Sequence, residues 1–115
     1  DWSSDVCSSD LTAAAAAGDP AAQRSLGLFL RLLGTTAGNL ALTLGARGGL
    51  FLAGGILPAI GAEAVAASAF HERLVAKGRF RGYLDAIPVY LIHHPDTAAL
   101  LGLRAWLDDL REEQP

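Results

Sequence analysis

Two adjacent glycines that follow a short apolar run are the strongest candidate for a ligand-binding element in this sequence. Gly54 and Gly55 come directly after Leu-Phe-Leu-Ala at residues 50–53, and Ile56 opens a segment of helical composition. An apolar run bounded by glycines predicts a central strand of a parallel sheet, covered on both faces. Ligands of open α/β sheets bind at the carboxyl ends of strands. Glycines there let the backbone approach a flat ring or a phosphate, although the pair also fits a purely structural turn.

Adjacent histidines suggest a second kind of chemistry. His93 and His94 could bind a metal ion, but only Asp96 joins them at ligand spacing and no cysteine lies nearby. Structural zinc sites need four such ligands. We therefore expect ordinary turn histidines and no metal site.

A group of basic residues could bind phosphate or RNA. Its members are Arg73, Lys77, Arg79 and Arg81. Aromatic residues interleave with them at Phe80 and Tyr83, where short helices need core contacts. The structural interpretation is therefore favoured, and we expect no nucleic-acid partner.

Two polar residues interrupt apolar surroundings. Arg47 separates two uncharged stretches, and we expect it to bind carbonyl groups or a carboxylate at a helix end, since a buried charge needs a partner. Asn39 lies within a leucine-rich helix. It is either a buried hydrogen-bonding residue or a polar group near a cleft, and the sequence leaves both open.

Length and composition limit the classes of protein. The chain has 115 residues, 51% hydrophobic and 18% charged, with a net charge of −3. Such a composition excludes disorder for most of the chain and predicts one small domain or a piece of a larger one. The single cysteine, Cys7, excludes an internal disulfide framework.

The apolar middle of the chain raises the question of a membrane span. Residues 32–46 and 48–62 are uncharged, but each stretch has only 15 residues, fewer than the roughly 18–20 that a spanning helix needs. No basic segment leads into an apolar one at the start, so we expect no secretory signal. The sequence predicts a cytoplasmic protein with no membrane contact.

Residues 1–11 differ from the rest of the chain. They read DWSSDVCSSDL, rich in serine and aspartate, and they resemble a translated sequencing adapter. We expect this segment to be foreign, with the genuine sequence, residues 12–115, beginning inside a longer protein.

The remaining residues predict an α/β order of elements. A helix over residues 12–17 stops at Gly18. Asp19 and Pro20 begin a long helix that Gly45 ends, with the core-facing stripe Leu26, Phe29, Leu30, Leu33, Ala37, Leu40 and Leu44. Residues 57–68 are helical but interrupted at Pro58 and Gly61, and short helices cover residues 70–77 and 80–86. A second strand covers residues 87–92, and a last helix, capped by Asp96 or Thr97, carries the stripe Leu100, Leu103, Leu107 and Leu110.

Four segments in this order carry a resemblance to a known family. They are AGNLALTLGARGGLFLAGGI (residues 37–56), KGRF (77–80), IPVYLI (87–92) and ALLG (99–102). Together with the intervening residues they resemble the C-terminal part of bacterial ATP-dependent glucokinases, of the hexokinase and actin-like ATPase superfamily. The resemblance implies a fragment of the large lobe, an incomplete domain whose terminal helix, at about residues 97–112, returns to the small lobe.

The resemblance also implies an activity and a site. Such kinases phosphorylate glucose with MgATP in the first step of glycolysis, and their Ala-Gly-Gly-Ile element binds adenosine. Carried over, Gly54 and Gly55 lie beside the nucleotide and Ile56 lies against the base. The intact enzyme would use glucose, ATP and Mg²⁺, and the resemblance allows a homodimer.

Several parts of the family pattern have no counterpart in this sequence. These are the glycine-rich phosphate loop, the Asn-Asp pair that holds glucose and supplies the general base, and the later Glu and His sugar ligands. We therefore assign no catalytic, sugar-binding or metal-binding residue to the chain, and expect it to be inactive alone. The alternative is a fragment of a non-catalytic, sugar-responsive regulator of the same fold, since a fold does not fix activity.

Overall fold

The computed structural model describes residues 4–93 and 95–113. In chain order its elements are α1 Ser4–Ala16, α2 Pro20–Leu44, β1 Leu50–Leu52, α3 Ile56–Ile60, α4 Ala62–Ala67, α5 Phe70–Val75, a 3₁₀ turn Gly78–Phe80, α6 Arg81–Asp85, β2 Val89–Leu91 and α7 Pro95–Glu112. The predicted class, α/β and rich in helices with two strands, is confirmed. That these elements form part of a large actin-like lobe stays a prediction.

The ends of α2 follow the capping signals in the sequence. The Asp19 carboxylate accepts a hydrogen bond from the Ala21 N–H, and Pro20 occupies the first turn, where no N–H is needed. At the other end Gly45 adopts the left-handed conformation with φ of 62°, which glycine favours. Both predicted ends of this helix are confirmed.

The buried face of α2 differs from the predicted leucine stripe. Of that stripe only Leu30 and Ala37 are buried, whereas Leu40 and Leu44 are exposed. The residues that α2 buries are mostly small: Ala22, Leu30, Gly34, Ala37, Gly38 and Ala41. The prediction is confirmed for Leu30 and Ala37, with Phe29 and Leu33 partly buried against the core. It was wrong for Leu40 and Leu44, because the close approach of a neighbouring helix selects small residues there.

That neighbour is α5, which lies across Gly34 and Gly38. A Cβ at Gly34 would overlap the carbonyl oxygen of Phe70, and a Cβ at Gly38 would overlap that of Leu74. Both contacts repeat at a spacing of four residues, one helical turn, on each helix. Leu74 is fully buried in this contact, as are Val75 and, on α6, Leu84.

The two strands form a parallel pair. Leu50 is in register with Val89 and Leu52 with Leu91, which confirms both predicted strands at a shorter length. The expectation that β1 is covered on both faces is wrong for this chain. Phe51 is 67% exposed and stacks on Tyr90, with ring centroids 5.1 Å apart. Leu52 points to the helical side and is buried, so helices of the described residues cover one face only.

The breaks between the short helices occur at the predicted glycines but not at the predicted proline. Gly61, with φ of 91°, separates α3 from α4, and Gly78 separates α5 from α6, as predicted. Pro58 does not interrupt α3, because it lies in the first turn, where a proline costs no hydrogen bond.

Helix α7 begins earlier than predicted and is poorly covered. It starts at Pro95, so Asp96 and Thr97 lie inside its first turn and neither precedes it as a cap. All four leucines of its predicted stripe are exposed, at 40–66%. Nothing among the described residues shows what covers this stripe, and the return of α7 to a small lobe stays a prediction.

Helix α2 is also long and apolar enough to cross a membrane by length and composition. It includes Arg24 and Arg31 and is therefore longer than either uncharged stretch of 15 residues. Core helices of soluble proteins can have the same length and composition, and α2 packs closely against α5. The absence of membrane contact stays a prediction.

We expect the chain on its own to aggregate or to lack fixed packing. Large hydrophobic side chains are exposed on α2, α7 and the open face of the sheet, and apolar patches beyond a few hundred Å² promote association. Light scattering and calorimetry of the purified chain check this. A sharp, cooperative melt of a monomer would contradict it.

Candidate functional site

The paired glycines lie at the carboxyl end of β1, as predicted. Gly54 and Gly55 are exposed, and Ile56 is partly buried as the first residue of α3. Apart from atoms of the glycine itself and its chain neighbours, no heavy atom lies within 4 Å of a Cβ built on either glycine. The pair therefore faces open space and is not sealed in an interior.

Local structure explains the position of this turn. The Ile92 N–H donates to the Leu52 carbonyl, so the strand pairing extends to the end of β1. Gly54 then has φ of 122°, a conformation that L side chains rarely adopt, whereas Gly55 is in the ordinary right-handed helical region. The backbone conformation therefore favours glycine at position 54, whereas position 55 has a conformation that other residues adopt readily.

The turn can accept a flat ring or a phosphate against bare backbone. The fit is one of shape, since no Cβ occupies the surface and the surroundings are open. A metal ion fits less well, because the described residues contain no group of three or more His, Cys, Asp and Glu side chains that could hold one. The metal ligands of a nucleotide complex therefore cannot be assigned to this part of the chain.

A second feature lies on the helical face of the sheet, and sequence reasoning missed it. A cavity of about 450 Å³ is lined mostly by apolar side chains: Leu52, Ala62, Val65, Ala66, Phe70, His71, Val89 and Leu91. Its one ionisable residue, His71, lies 2.8 Å from Asp85, measured from Nε2 to Oδ1. The two are 14 residues apart on α5 and α6, a spacing that carries no recognisable sequence signal.

Two of the four basic residues bind α2. The Arg73 Nε donates to the Thr35 hydroxyl at 3.3 Å, and the Lys77 ammonium donates to the Asn39 side-chain oxygen at 2.5 Å. These contacts flank the glycine contacts of α2 with α5 and support the structural interpretation. Asn39 is exposed, so the alternative of a buried asparagine is wrong.

The aromatic residues of this group have different environments. Tyr83 is partly buried, packs against the core and donates its hydroxyl to the Ala46 carbonyl at 2.7 Å. Phe80 is 44% exposed, so the core contact expected for it is wrong. The guanidinium of Arg79 lies 5.0 Å from the Phe80 ring centroid, which leaves both side chains at the surface.

Arg47 does not have the expected partner. It is exposed, and no ion pair among the described residues includes it. Its guanidinium instead lies 5.3 Å from the centroid of the Tyr83 ring. His93 is exposed, in keeping with a turn histidine, whereas His94 lies outside the described residues.

Three of the four segments that carry the family resemblance meet in space. The first and second join through Lys77 and Asn39, and the first and third pair as the strands β1 and β2. These two contacts link α2 to the segment after α5, and β1 to β2. Gly54 and Gly55 follow β1 at its carboxyl end.

Comparisons with known proteins identify the family. The family model described as glucokinase matches residues 5–110. The chain is 50% identical to a glucokinase of Cupriavidus pinatubonensis over 105 residues, which is 90% of this chain and 30% of that protein. It is 53% identical to a glucokinase of Ralstonia nicotianae over 93 residues, or 80% of this chain and 27% of that protein.

A third relative is larger. The chain is 46% identical to the bifunctional protein glk of Burkholderia thailandensis over 102 residues, which is 89% of this chain and 16% of that protein. The chain therefore spans less than a third of the length of each of these relatives. The match of the family model includes residues 5–11, and the foreign origin of residues 1–11 stays a prediction.

The resemblance inferred from the four segments is confirmed by these matches. Because the family model covers most of the chain, the conclusion does not depend on any single motif. The chain belongs to the glucokinase family.

Proposed function

We propose that this chain is the adenosine-binding, C-terminal part of a kinase that transfers a phosphoryl group from ATP to the 6-hydroxyl of glucose. The observation that carries the proposal is the open Gly54–Gly55 turn at the carboxyl end of β1, within a chain of the glucokinase family. The purine would lie against the bare backbone of this turn, and the Ile56 side chain would contact the base.

The chain's own contribution is binding and orientation. Phosphoryl transfer depends on positioned phosphates, Mg²⁺ and an oriented nucleophile. The turn would hold the nucleotide at its adenosine end, and the α2–α5 contact would keep β1 in place beneath it. The general base, the sugar ligands and the metal ligands are proposed to lie in parts of the intact enzyme outside these residues. We propose a cytoplasmic enzyme of carbohydrate metabolism.

The experiment needs a full-length protein. We define a hybrid kinase in which residues 12–113 of this chain replace the matching part of the Cupriavidus relative. In this hybrid, Gly55→Leu should raise the KM for ATP about tenfold or more, equivalent to about 1.4 kcal/mol. The added side chain would occupy the space of the base, while the KM for glucose should stay unchanged.

Gly48→Leu is the matched control. Gly48 flanks β1 at its amino end, has no positive φ, and faces open space as Gly55 does. It should leave both KM values unchanged. Equal effects of the two substitutions on the KM for ATP would contradict the adenosine assignment.

The alternative function, a non-catalytic sugar-responsive regulator, is distinguished by the sequence that precedes these residues in the longer protein. An Asn-Asp pair there supports the kinase, whereas a helix-turn-helix supports the regulator.

A further inference from the structure

Arg47 is a cation without a charged partner among the described residues. The sequence predicts a carboxylate or carbonyl partner for it, but the three ion pairs of the described residues all involve other side chains. Its guanidinium lies over the face of Tyr83 instead. An aromatic face holds a guanidinium in place but does not use its N–H donors, which remain available to an anion.

The ring beneath Arg47 is itself held in position. The Tyr83 hydroxyl donates to the carbonyl of Ala46, the residue that precedes Arg47, at 2.7 Å. The hydrogen bond fixes the ring to the backbone beside Arg47, and the ring in turn restricts the guanidinium. A side chain that is already restricted loses less conformational entropy when it binds a ligand.

A cavity adjoins this guanidinium. It has a volume of about 290 Å³ and is lined by Arg47, Gly82, Tyr83, Ala86 and Ile87. Apart from the guanidinium and the phenol, its lining residues carry no polar side chain. Ligand sites combine an apolar wall with a few placed polar groups, in volumes of roughly 300–1,000 Å³. At about 290 Å³ the cavity lies at the lower end of this range, which suits only a small molecule.

The cavity lies at the opposite edge of the sheet from the paired glycines. Arg47 precedes β1 and Ile87 precedes β2, and the two strands are parallel. Both residues therefore lie at the amino ends of the strands, whereas Gly54 and Gly55 lie at the carboxyl end of β1. A ligand here would be distinct from the nucleotide.

We propose that Arg47 and this cavity form a binding site for a short aliphatic carboxylate. The carboxylate would accept charge-assisted hydrogen bonds from the guanidinium, which binds such groups through two parallel contacts. The aliphatic part would lie against Ile87 and Ala86. Inorganic phosphate could bind the guanidinium, but it has no apolar part to bury against Ile87 and Ala86.

Arginine labelling with phenylglyoxal, followed by peptide mass spectrometry, tests the site residue by residue. It is done on the hybrid kinase, in which the surrounding lobe is complete. Butanoate at about four times its dissociation constant should slow the labelling of Arg47 about fivefold, because only the free fraction reacts. Acetate and phosphate, tested at the same concentration, should protect Arg47 less.

Arg79 is the internal control, since it too lies over an aromatic ring, at 5.0 Å, but lines none of the described cavities. Its labelling should not respond to butanoate. Ala86→Leu, at an exposed position of the lining, should abolish the protection of Arg47 by filling the cavity. No protection of Arg47 in the hybrid kinase, equal protection of Arg79, or stronger protection by phosphate than by butanoate would overturn the proposal, whatever the result for ATP.

Discussion

Gly34→Ala should destabilise the hybrid kinase, although alanine is the better helix former. The new Cβ would overlap the Phe70 carbonyl oxygen and come within 3.2 Å of the Arg73 Cβ. A backbone carbonyl inside a helix cannot rotate away, so α2 and α5 must separate. Overpacking of this kind costs typically about 1–3 kcal/mol, and thermal unfolding should show it as a drop of several degrees in Tm.

Gly27→Ala provides the matched control on the same helix. Outside the neighbouring backbone of α2 itself, no heavy atom lies within 4 Å of a Cβ at Gly27. Without a contact to break, the substitution should stabilise α2 by about 0.5–1 kcal/mol through the lower backbone entropy of alanine. The two substitutions therefore have opposite signs. A Gly34→Ala variant as stable as Gly27→Ala would show that α2 and α5 do not approach as closely as described.

The 115-residue chain should form no glucose 6-phosphate from glucose and ATP. It spans 30% of the length of the Cupriavidus glucokinase and 27% of the length of the Ralstonia glucokinase. The resemblance assigns the general base and the sugar ligands to parts with no counterpart in it. Without an oriented hydroxyl and positioned phosphates the reaction has only the solution rate. A coupled assay of the purified chain should therefore give the rate of the blank.

The hybrid kinase is the positive control for this assay, since it adds the remaining parts to the same residues. Its turnover should be easily measured under identical conditions. Turnover that rises with the concentration of the 115-residue chain and copurifies with it would contradict the prediction. It would also require that the catalytic groups lie among these residues.

The sequence by itself determined the elements whose signals are local. The ends of α2 depend on Asp19, Pro20 and Gly45, whose effects act within one turn of the helix. The breaks at Gly61 and Gly78 are local in the same sense. The family was also determined at this level, because four ordered segments are a property of the linear sequence.

The position of the paired glycines was predictable, but their surroundings were not. An apolar run followed by Gly54 and Gly55 predicted a strand end with an open turn. Whether the turn faced solvent or a sealed interior depended on which elements lie nearby. The open space around both glycines is a property of the tertiary structure.

Only the tertiary structure decided which side chains meet across long separations. The partners of Asn39 and Ala46 lie 38 and 37 residues away along the chain. The buried face of α2 was likewise set by α5, because two backbones in contact exclude leucine and admit glycine. Hydrophobic periodicity shows which side of a helix faces the core. It does not show how closely one particular neighbour approaches, which depends on the shapes of both packed surfaces.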